Sequence, residues 1–207
     1  MRKITLKLTN GIQAILKLWG ASFLKKLIWE SEFKSGRWNY IDNTTEDIIY
    51  HYLEKYSKNG SFLDLGCGAG NTGNEMDVNK YKYYTGVDIS EVAIRKAIIR
   101  STENQRNDKN KYLQADIANY VPREKYNIIL LRESINYTPK SRVKGLLEMY
   151  SAYLEDNGVF IVRMSDREKY GAIVRIIEES FIVVEKYLAD HTRAIIIVFR
   201  PLESARQ

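Results

Sequence analysis

The 207-residue sequence holds a single cysteine, Cys67, and two histidines, His51 and His191. A lone thiol forms no intramolecular disulfide and no cysteine-based metal cluster, and it fits a reducing compartment. No pair of histidines and carboxylates stands at metal-ligand spacing, so no metal is expected. Acidic residues are missing from the first 29 positions, which carry Arg2, Lys3, Lys7, Lys17, Lys25 and Lys26. The remaining residues balance 26 basic against 26 acidic groups, so the whole net charge of +6 lies in that N-terminal segment. A neutral body argues against a broad basic face for nucleic acid. There is also no long apolar run. Lys17 and the pair Lys25-Lys26 interrupt the N-terminal segment, whereas a membrane span needs about 20 predominantly apolar residues. Lys7, Asn10 and Gln13 fall where a signal peptide would need its apolar region. Internal repeats and low-complexity tracts are absent.

What is present is enough for a core. With 44% hydrophobic residues, the chain is globular and buries roughly 70% of its unfolded surface. Ile12, Ile15, Leu16, Trp19, Phe23 and Leu27 recur at helical spacing, which predicts an amphipathic helix over residues 1–29 after a strand-like start at Ile4, Leu6 and Leu8. Such a helix suits a lid with solvated lysines. Its composition also suits the surface of a membrane. Residues 30–43 form an aromatic connector. Thr44 and Asp47 then read as the N-terminal cap of a helix with the stripe Ile48, Ile49, Tyr52, Leu53 and Tyr56.

From Ser61 onward strands and helices alternate. Strands are expected at 61–65, 83–88, 111–115, 126–131, 159–164, 181–188 and 194–199. Ala93, Ile94, Ala97 and Ile98 should face the core from the helix capped by Ser90. Thr138-Pro139 should start a helix with the stripe Val143, Leu146, Leu147, Tyr150 and Leu154, ended by Asp156-Asn157-Gly158. Another helix is expected at 166–180. The last two strands are joined by too few residues for a crossover, so they form a hairpin. The pattern predicts an open α/β sheet, mostly parallel, with one reversed strand.

The chemistry concentrates in Phe62–Gly73, where Asp64, Gly66, Gly68 and Gly70 lie at the end of the first strand. Such a loop lies at the carboxyl edge of the sheet, where ligands bind. Gly68–Gly73 satisfies the dinucleotide pattern G-x-G-x-x-G, which leaves an NAD(P)-dependent oxidoreductase open. An acid at Asp64 instead suits a cationic ligand part and repels a pyrophosphate. Asp88, ending the second strand, can take a ribose diol. Asp116, ending the third, can accept from an adenine amine. The three acids together fit adenosine joined to a cationic amino acid.

Phe62–Gly73, Tyr84–Ser90, Leu113–Ile117 and Tyr126–Pro139 resemble motifs I to IV of class I S-adenosylmethionine-dependent methyltransferases, in order and spacing. The resemblance covers roughly residues 44–200. It implies a Rossmann-like seven-stranded sheet of order 3-2-1-4-5-7-6 with strand 7 antiparallel, and S-adenosyl-L-methionine as cofactor. It places Asp64 and the glycines near the methionine moiety, Asp88 at the ribose, and Asp116 with Ile117 at the adenine. Cys67, Asn71, Ile89 and Arg132 complete the implied cofactor set. The connector Trp29–Tyr40 and the ending Phe199-Arg-Pro201 are similar to small-molecule and sugar-modifying bacterial members. Residues Leu131–Asn136 lack the Asn/Asp-Pro-Pro-Tyr/Phe signature of enzymes that methylate exocyclic base amines, which lowers a nucleic-acid acceptor.

Glu133, His191 and Tyr137 are the catalytic candidates. Glu133 reads as a base, an ammonium clamp or a salt-bridge partner of a residue such as Arg132. His191, in the terminal link, can accept a hydroxyl proton as neutral imidazole. Trp38 and Tyr40, with Tyr137, can wall a substrate pocket. Cys67 reads as a loop filler. The expected division is an arm and connector over 1–43 and a cofactor domain over 44–207. Deleting residues 1–29 is then expected to spare cofactor binding and impair acceptor turnover or liposome binding. The reading is a cytoplasmic O- or N-methyltransferase of a small molecule or glycan, with the arm a peripheral membrane contact or a lid. A non-catalytic membrane-associated adapter on the same fold is the other rival. The sequence sets no oligomeric state.

Overall fold

The computed structural model describes residues 10–38 and 43–202. Helices α1 (Asn10–Trp19) and α2 (Ser22–Lys34) precede α3 (Ile49–Ser57) and the sheet. The strands are β1 (Ser61–Leu65), β2 (Tyr83–Asp88), β3 (Asn110–Gln114), β4 (Tyr126–Arg132), β5 (Leu154–Met164), β6 (Ile182–Leu188) and β7 (Ile195–Arg200). Between them lie α4 (Asn71–Glu75), α5 (Glu91–Glu103), α6 (Lys140–Ser151) and α7 (Gly171–Ser180). The seven strands run in the order β3-β2-β1-β4-β5-β7-β6. β7 is antiparallel to β5 and β6, while the remaining pairs are parallel.

Alternation along the strands splits the core into two layers. Leu63, Leu65, Ile129, Leu131, Phe160 and Val162 pack with Val143, Leu147 and Tyr150 of α6 and Ile173 and Ile177 of α7. Phe62, Tyr84, Ile128, Leu130 and Ile161 pack with Ile49 and Leu53 of α3 and Ile94 and Ala97 of α5. Both faces of the central strands are therefore covered. Their functional groups are left to the carboxyl edge.

Five expectations are corrected. The single N-terminal helix is two: α1 stops where the Gly20 N–H donates to Leu16 O at 2.9 Å, and α2 continues to Lys34, through part of the expected connector. The strand-like start at Ile4, Leu6 and Leu8 lies outside the described residues. Thr44 does not cap α3, which begins at Ile49. Its N–H and hydroxyl both donate to Glu75, at 2.8 and 2.6 Å. Ile98 points outward, 45% exposed, whereas Ala93, Ile94 and Ala97 are buried. Leu154 belongs to β5, paired with Tyr126. The next pairing, Ile128 with Val159, skips residues 155–158, so the Asp156-Asn157-Gly158 turn is a bulge inside a strand. α7 begins at Gly171, because residues 166–170 form a turn with the Glu168 and Lys169 N–H groups on Asp166 Oδ1.

The apolar stripe of the arm is not a buried face. Ile12, Ile15, Trp19, Phe23 and Leu27 are exposed, Phe23 by 67%, while Lys17 is buried. The expected pattern of solvated lysines over packed apolar residues is inverted at that position.

Candidate active site

The end of β1 sets the site. Beyond Leu65 the backbone takes φ of 89° at Gly66, 54° at Gly68 and 76° at Gly70, a region that favours glycine. The Gly66 and Cys67 N–H groups both donate to Val87 O, at 2.7 and 3.0 Å, tying the loop to the end of β2. A Cβ on Gly66 would lie 2.4 Å from the Ser134 Cβ, so the loop also packs on the segment after β4. There the Ser134 hydroxyl donates to Leu65 O.

Asp88 receives the Gly68 N–H on one oxygen at 3.0 Å and the Ser90 N–H on the other at 2.8 Å. Each oxygen keeps one lone pair, so the carboxylate can still accept from two hydroxyls. Asp64 is buried, receives the Tyr84 hydroxyl at 2.6 Å on Oδ2, and has no hydrogen-bond partner on Oδ1. Burial pushes both carboxyls up to about 6, against the backbone N–H groups at Asp88 and the Tyr84 hydroxyl at Asp64. An unpartnered oxygen buried in this way suits a cationic N–H donor and opposes a phosphate. Asp116, beyond β3, takes the Ala118 N–H at 3.0 Å and the Ser22 hydroxyl of α2 at 2.6 Å.

These groups open on a cavity of about 1290 Å³. Gly66, Gly68, Asp88, Ile89, Asp116 and Ile117 line it from the sheet edge, and Lys17, Trp19, Ser22, Trp29, Phe33 and Trp38 from the arm and the residues after it. Arg132, Glu133 and Tyr137 line it from the end of β4. An adjoining cleft of about 210 Å³ is lined by Asp64, Cys67 and Asn71, and shares Gly66, Gly68, Arg132 and Trp38 with the cavity. Asn71 is held by Arg100 at 3.0 Å and holds Glu75 at 3.1 Å.

Some expected site residues stand elsewhere. Gly70 lines neither space. It serves packing, since a Cβ there would lie 2.7 Å from Ala97 Cβ. His191 is exposed in the β6–β7 hairpin and lines neither space. That hairpin sits at the correct edge but fastens to the segment after β5, where the Arg167 N–H donates to Arg193 O at 2.8 Å. The salt-bridge partner of Glu133 is Arg163 of β5, not Arg132, and the Ser165 hydroxyl adds a bond at 3.0 Å. Arg132 instead pairs with Asp47 at 2.8 Å, and Arg163 joins the same carboxylate at 3.3 Å. Burial pushes the Cys67 thiol well above its ordinary value, which fits a filler rather than a nucleophile. Tyr40 lies outside the described residues. Among the described residues, no group of three His, Cys, Asp or Glu side chains is placed to hold a metal ion.

Lys17, Ser22, Glu32 and Asp47 belong to this region although the sequence does not mark them for it: Asp47 reads as a cap residue, and the other three carry no local signal of their long-range partners.

The geometry fits an adenosyl cofactor. Asp88 offers two lone pairs for a diol. Asp64 offers an unpartnered buried oxygen for a cationic group in the adjoining cleft, and Asp116 with Ile117 lines the cavity that holds Asp88.

A family model described as a methyltransferase domain matches residues 37–188. No curated protein matches the sequence. Among solved structures, the chain resembles the N-methyltransferase NodS from Bradyrhizobium japonicum WM9 in complex with S-adenosyl-L-homocysteine, at 18% identity and a TM-score of 0.68. That match covers 86% of this chain and 98% of NodS. Magnesium protoporphyrin IX methyltransferase ChlM from Synechocystis PCC 6803, with S-adenosylhomocysteine bound, gives 14% identity and a TM-score of 0.69, covering 87% of this chain and all of ChlM. The glycopeptide N-methyltransferase MtfA with S-adenosylmethionine gives 13% and 0.66, covering 78% and 88%. With the sheet order, the glycine loop and the match over residues 37–188, the chain belongs to the methyltransferase-domain family and has the class I S-adenosylmethionine-dependent methyltransferase fold.

Proposed function

We propose that the protein is an enzyme that binds S-adenosylmethionine and methylates an oxygen or nitrogen of a small molecule or glycan. The observation that carries this reading is the convergence of Asp64, Asp88 and Asp116 with the Gly66–Gly68 backbone on connected cavities at the carboxyl edge. S-adenosylmethionine supplies a methyl group on a sulfonium with a neutral leaving group. Asp88 would hold the ribose, Asp116 and Ile117 the adenine, and Asp64 the cationic amino acid end, with Arg132 at the boundary between the two spaces.

The chain's own contribution is alignment and exclusion of water. Orientation alone supplies on the order of 7–11 kcal/mol of a barrier. Glu133 is ion-paired to Arg163 on one oxygen and accepts the Ser165 hydroxyl on the other, so both oxygens are engaged and it acts as a fixed charge lining the cavity. Tyr137 and Trp38 form part of the acceptor wall. The arm over residues 1–43 acts as a lid on the domain of residues 44–207.

A second role for the arm is favoured by its exposed Ile12, Ile15, Trp19, Phe23 and Leu27 in an acid-free, basic segment: peripheral contact with an anionic membrane. Among the described residues no helix is long and apolar enough to cross a membrane. The buried lone thiol fits a cytoplasmic setting.

A thermal-shift series tests the reading. S-adenosylhomocysteine is expected to raise the melting temperature and NADH to leave it unchanged. The reverse result overturns the cofactor assignment in favour of an oxidoreductase, and no shift with either supports a non-catalytic adapter.

A further inference from the structure

Lys17 is a buried ammonium at the end of α1, and its surroundings are those of a ligand. Its Nζ lies 3.9 Å from the centre of the Trp29 ring, 5.4 Å from that of Tyr137 and 5.9 Å from that of Trp38. The Trp29 and Tyr137 rings meet edge to face at 4.7 Å, and Trp29 and Trp38 lie 5.8 Å apart. Behind the rings, Glu32 takes Lys17 Nζ at 2.7 Å and the Trp38 indole N–H at 3.2 Å on the same oxygen. Arg37 holds the other oxygen at 2.9 Å.

Aromatic faces around a desolvated cation with a carboxylate behind are the chemistry that recognises an ammonium ligand. Lys17, Trp29, Trp38 and Tyr137 all line the cavity that also holds Gly66 and Asp88. The lysine tip therefore stands inside the space assigned to acceptor and cofactor, not on an outer surface. Tyr137 comes from the segment after β4, so the cage joins the arm to the sheet edge.

We propose that Trp29, Trp38, Tyr137 and Glu32 form the binding site for the acceptor, that the acceptor is an alkylamine held as its ammonium, and that Lys17 occupies this cage until the acceptor displaces it. The proposal rests on the methyl-transfer reading and narrows its acceptor from oxygen or nitrogen to an amine. Burial lowers the pKa of Lys17 even against Glu32. An amine held in the same place gives its proton to water more readily than it does in bulk solution; the freed nitrogen lone pair would then form the N–CH3 bond as the S–CH3 bond breaks, leaving a neutral thioether and a product N-methylammonium.

The test reads binding, not turnover. Tetramethylammonium chloride, which cannot be methylated, is titrated against the full chain by intrinsic tryptophan fluorescence, with tert-butanol as the uncharged probe of the same shape. Lys17→Met is expected to bind tetramethylammonium about tenfold more tightly than the unaltered chain, and adding Trp29→Leu to remove the gain. Equal binding with and without Lys17, a gain that survives Trp29→Leu, or an equal response to tert-butanol overturns the cage. Circular dichroism checks folding, and Lys17→Gln replaces Lys17→Met if the latter does not fold. In the unaltered chain, saturating tetramethylammonium is expected to raise the rate of Lys17 acetylation by acetic anhydride, read by mass spectrometry. An unchanged rate overturns displacement. S-adenosylhomocysteine thermal shifts on the same samples separate the two readings: a lost shift with tight cation binding sinks the cofactor, and a retained shift without cation binding sinks the cage.

Discussion

The Ser22 hydroxyl donates to Asp116 Oδ2 at 2.6 Å, joining the first residue of α2 to the end of β3 across 94 positions of sequence. The arm therefore touches the carboxylate proposed for the adenine, which couples α2 to the proposed cofactor site. Ser22→Ala is expected to speed release of S-adenosylhomocysteine about fivefold, the worth of one hydrogen bond of about 1 kcal/mol. Deleting residues 1–29 should speed it further. Stopped-flow dissociation reads both, and unchanged rates would show that the contact does not hold the cofactor.

Asp88 is the anchor of the proposed cofactor site. Its two oxygens are already aimed by the Gly68 and Ser90 N–H groups. Asp88→Ala removes two charge-assisted bonds to a diol, and affinity for S-adenosylmethionine should fall on the order of 10–100-fold. Calorimetry measures the change. Unaltered affinity would remove Asp88 from the site.

Asp64 and Asp88 share a raised pKa of about 6, caused by burial. An unfolded aspartate titrates near about 4. Between these values the folded chain holds protons that the unfolded chain has released, so stability falls as pH rises from about 4 to 6 and stays lowered above. Asp64→Asn keeps an acceptor for Tyr84 and removes a buried charge. It should stabilise the ligand-free protein by about 1–3 kcal/mol at neutral pH, and flatten the acid-side slope. Urea melts across pH read the sign. A destabilised variant would mean that Asp64 is paired in the free protein.

Asp47 sits between Arg132 and Arg163, at 2.8 and 3.3 Å. Asp47→Ala leaves the largely buried Arg132 with the Tyr50 hydroxyl, at 3.2 Å, as its remaining partner. Breaking a buried ion pair from one side costs about 3–5 kcal/mol, and the second arginine contact places Asp47 in that range. Denaturant melts check it, and a loss below 1 kcal/mol would show that solvent screens the cluster.

His191 is exposed in the β6–β7 hairpin, away from the cavity. His191→Ala should leave kcat/KM for the acceptor within about twofold, as expected for a surface substitution outside the site. A large loss confined to kcat would return the histidine to the reaction.

The succession of strands, the terminal hairpin and the acids at three strand ends were legible because each depends on short-range signals, whereas the sheet order 3-2-1-4-5-7-6 was implied by the resemblance of four motifs to the methyltransferase family. A short apolar segment ending in a glycine-rich loop marks Ser61–Leu65, a near-continuous apolar run marks Tyr126–Leu131, and a link too short for a crossover marks the terminal hairpin. Asp64, Asp88 and Asp116 could be read as a set because the parallel register brings strand ends together whatever the loops do. Leu154 was misplaced because a bulge carries the period of neither helix nor strand.

The motifs alone thus carried the methyltransferase-type sheet and the placing of Asp64, Asp88 and Asp116 at its carboxyl edge. The contacts of the arm with that edge emerge only once the chain is folded. Lys17 lies on a face whose neighbours point to solvent, yet it turns inward to Glu32 and Trp29. Ser22 reaches Asp116, and Arg132 chooses Asp47 over the adjacent Glu133. These contacts link residues 12 to 94 positions apart, and no local periodicity encodes such pairings. They form because desolvated charges must find partners once the helices and the sheet have packed.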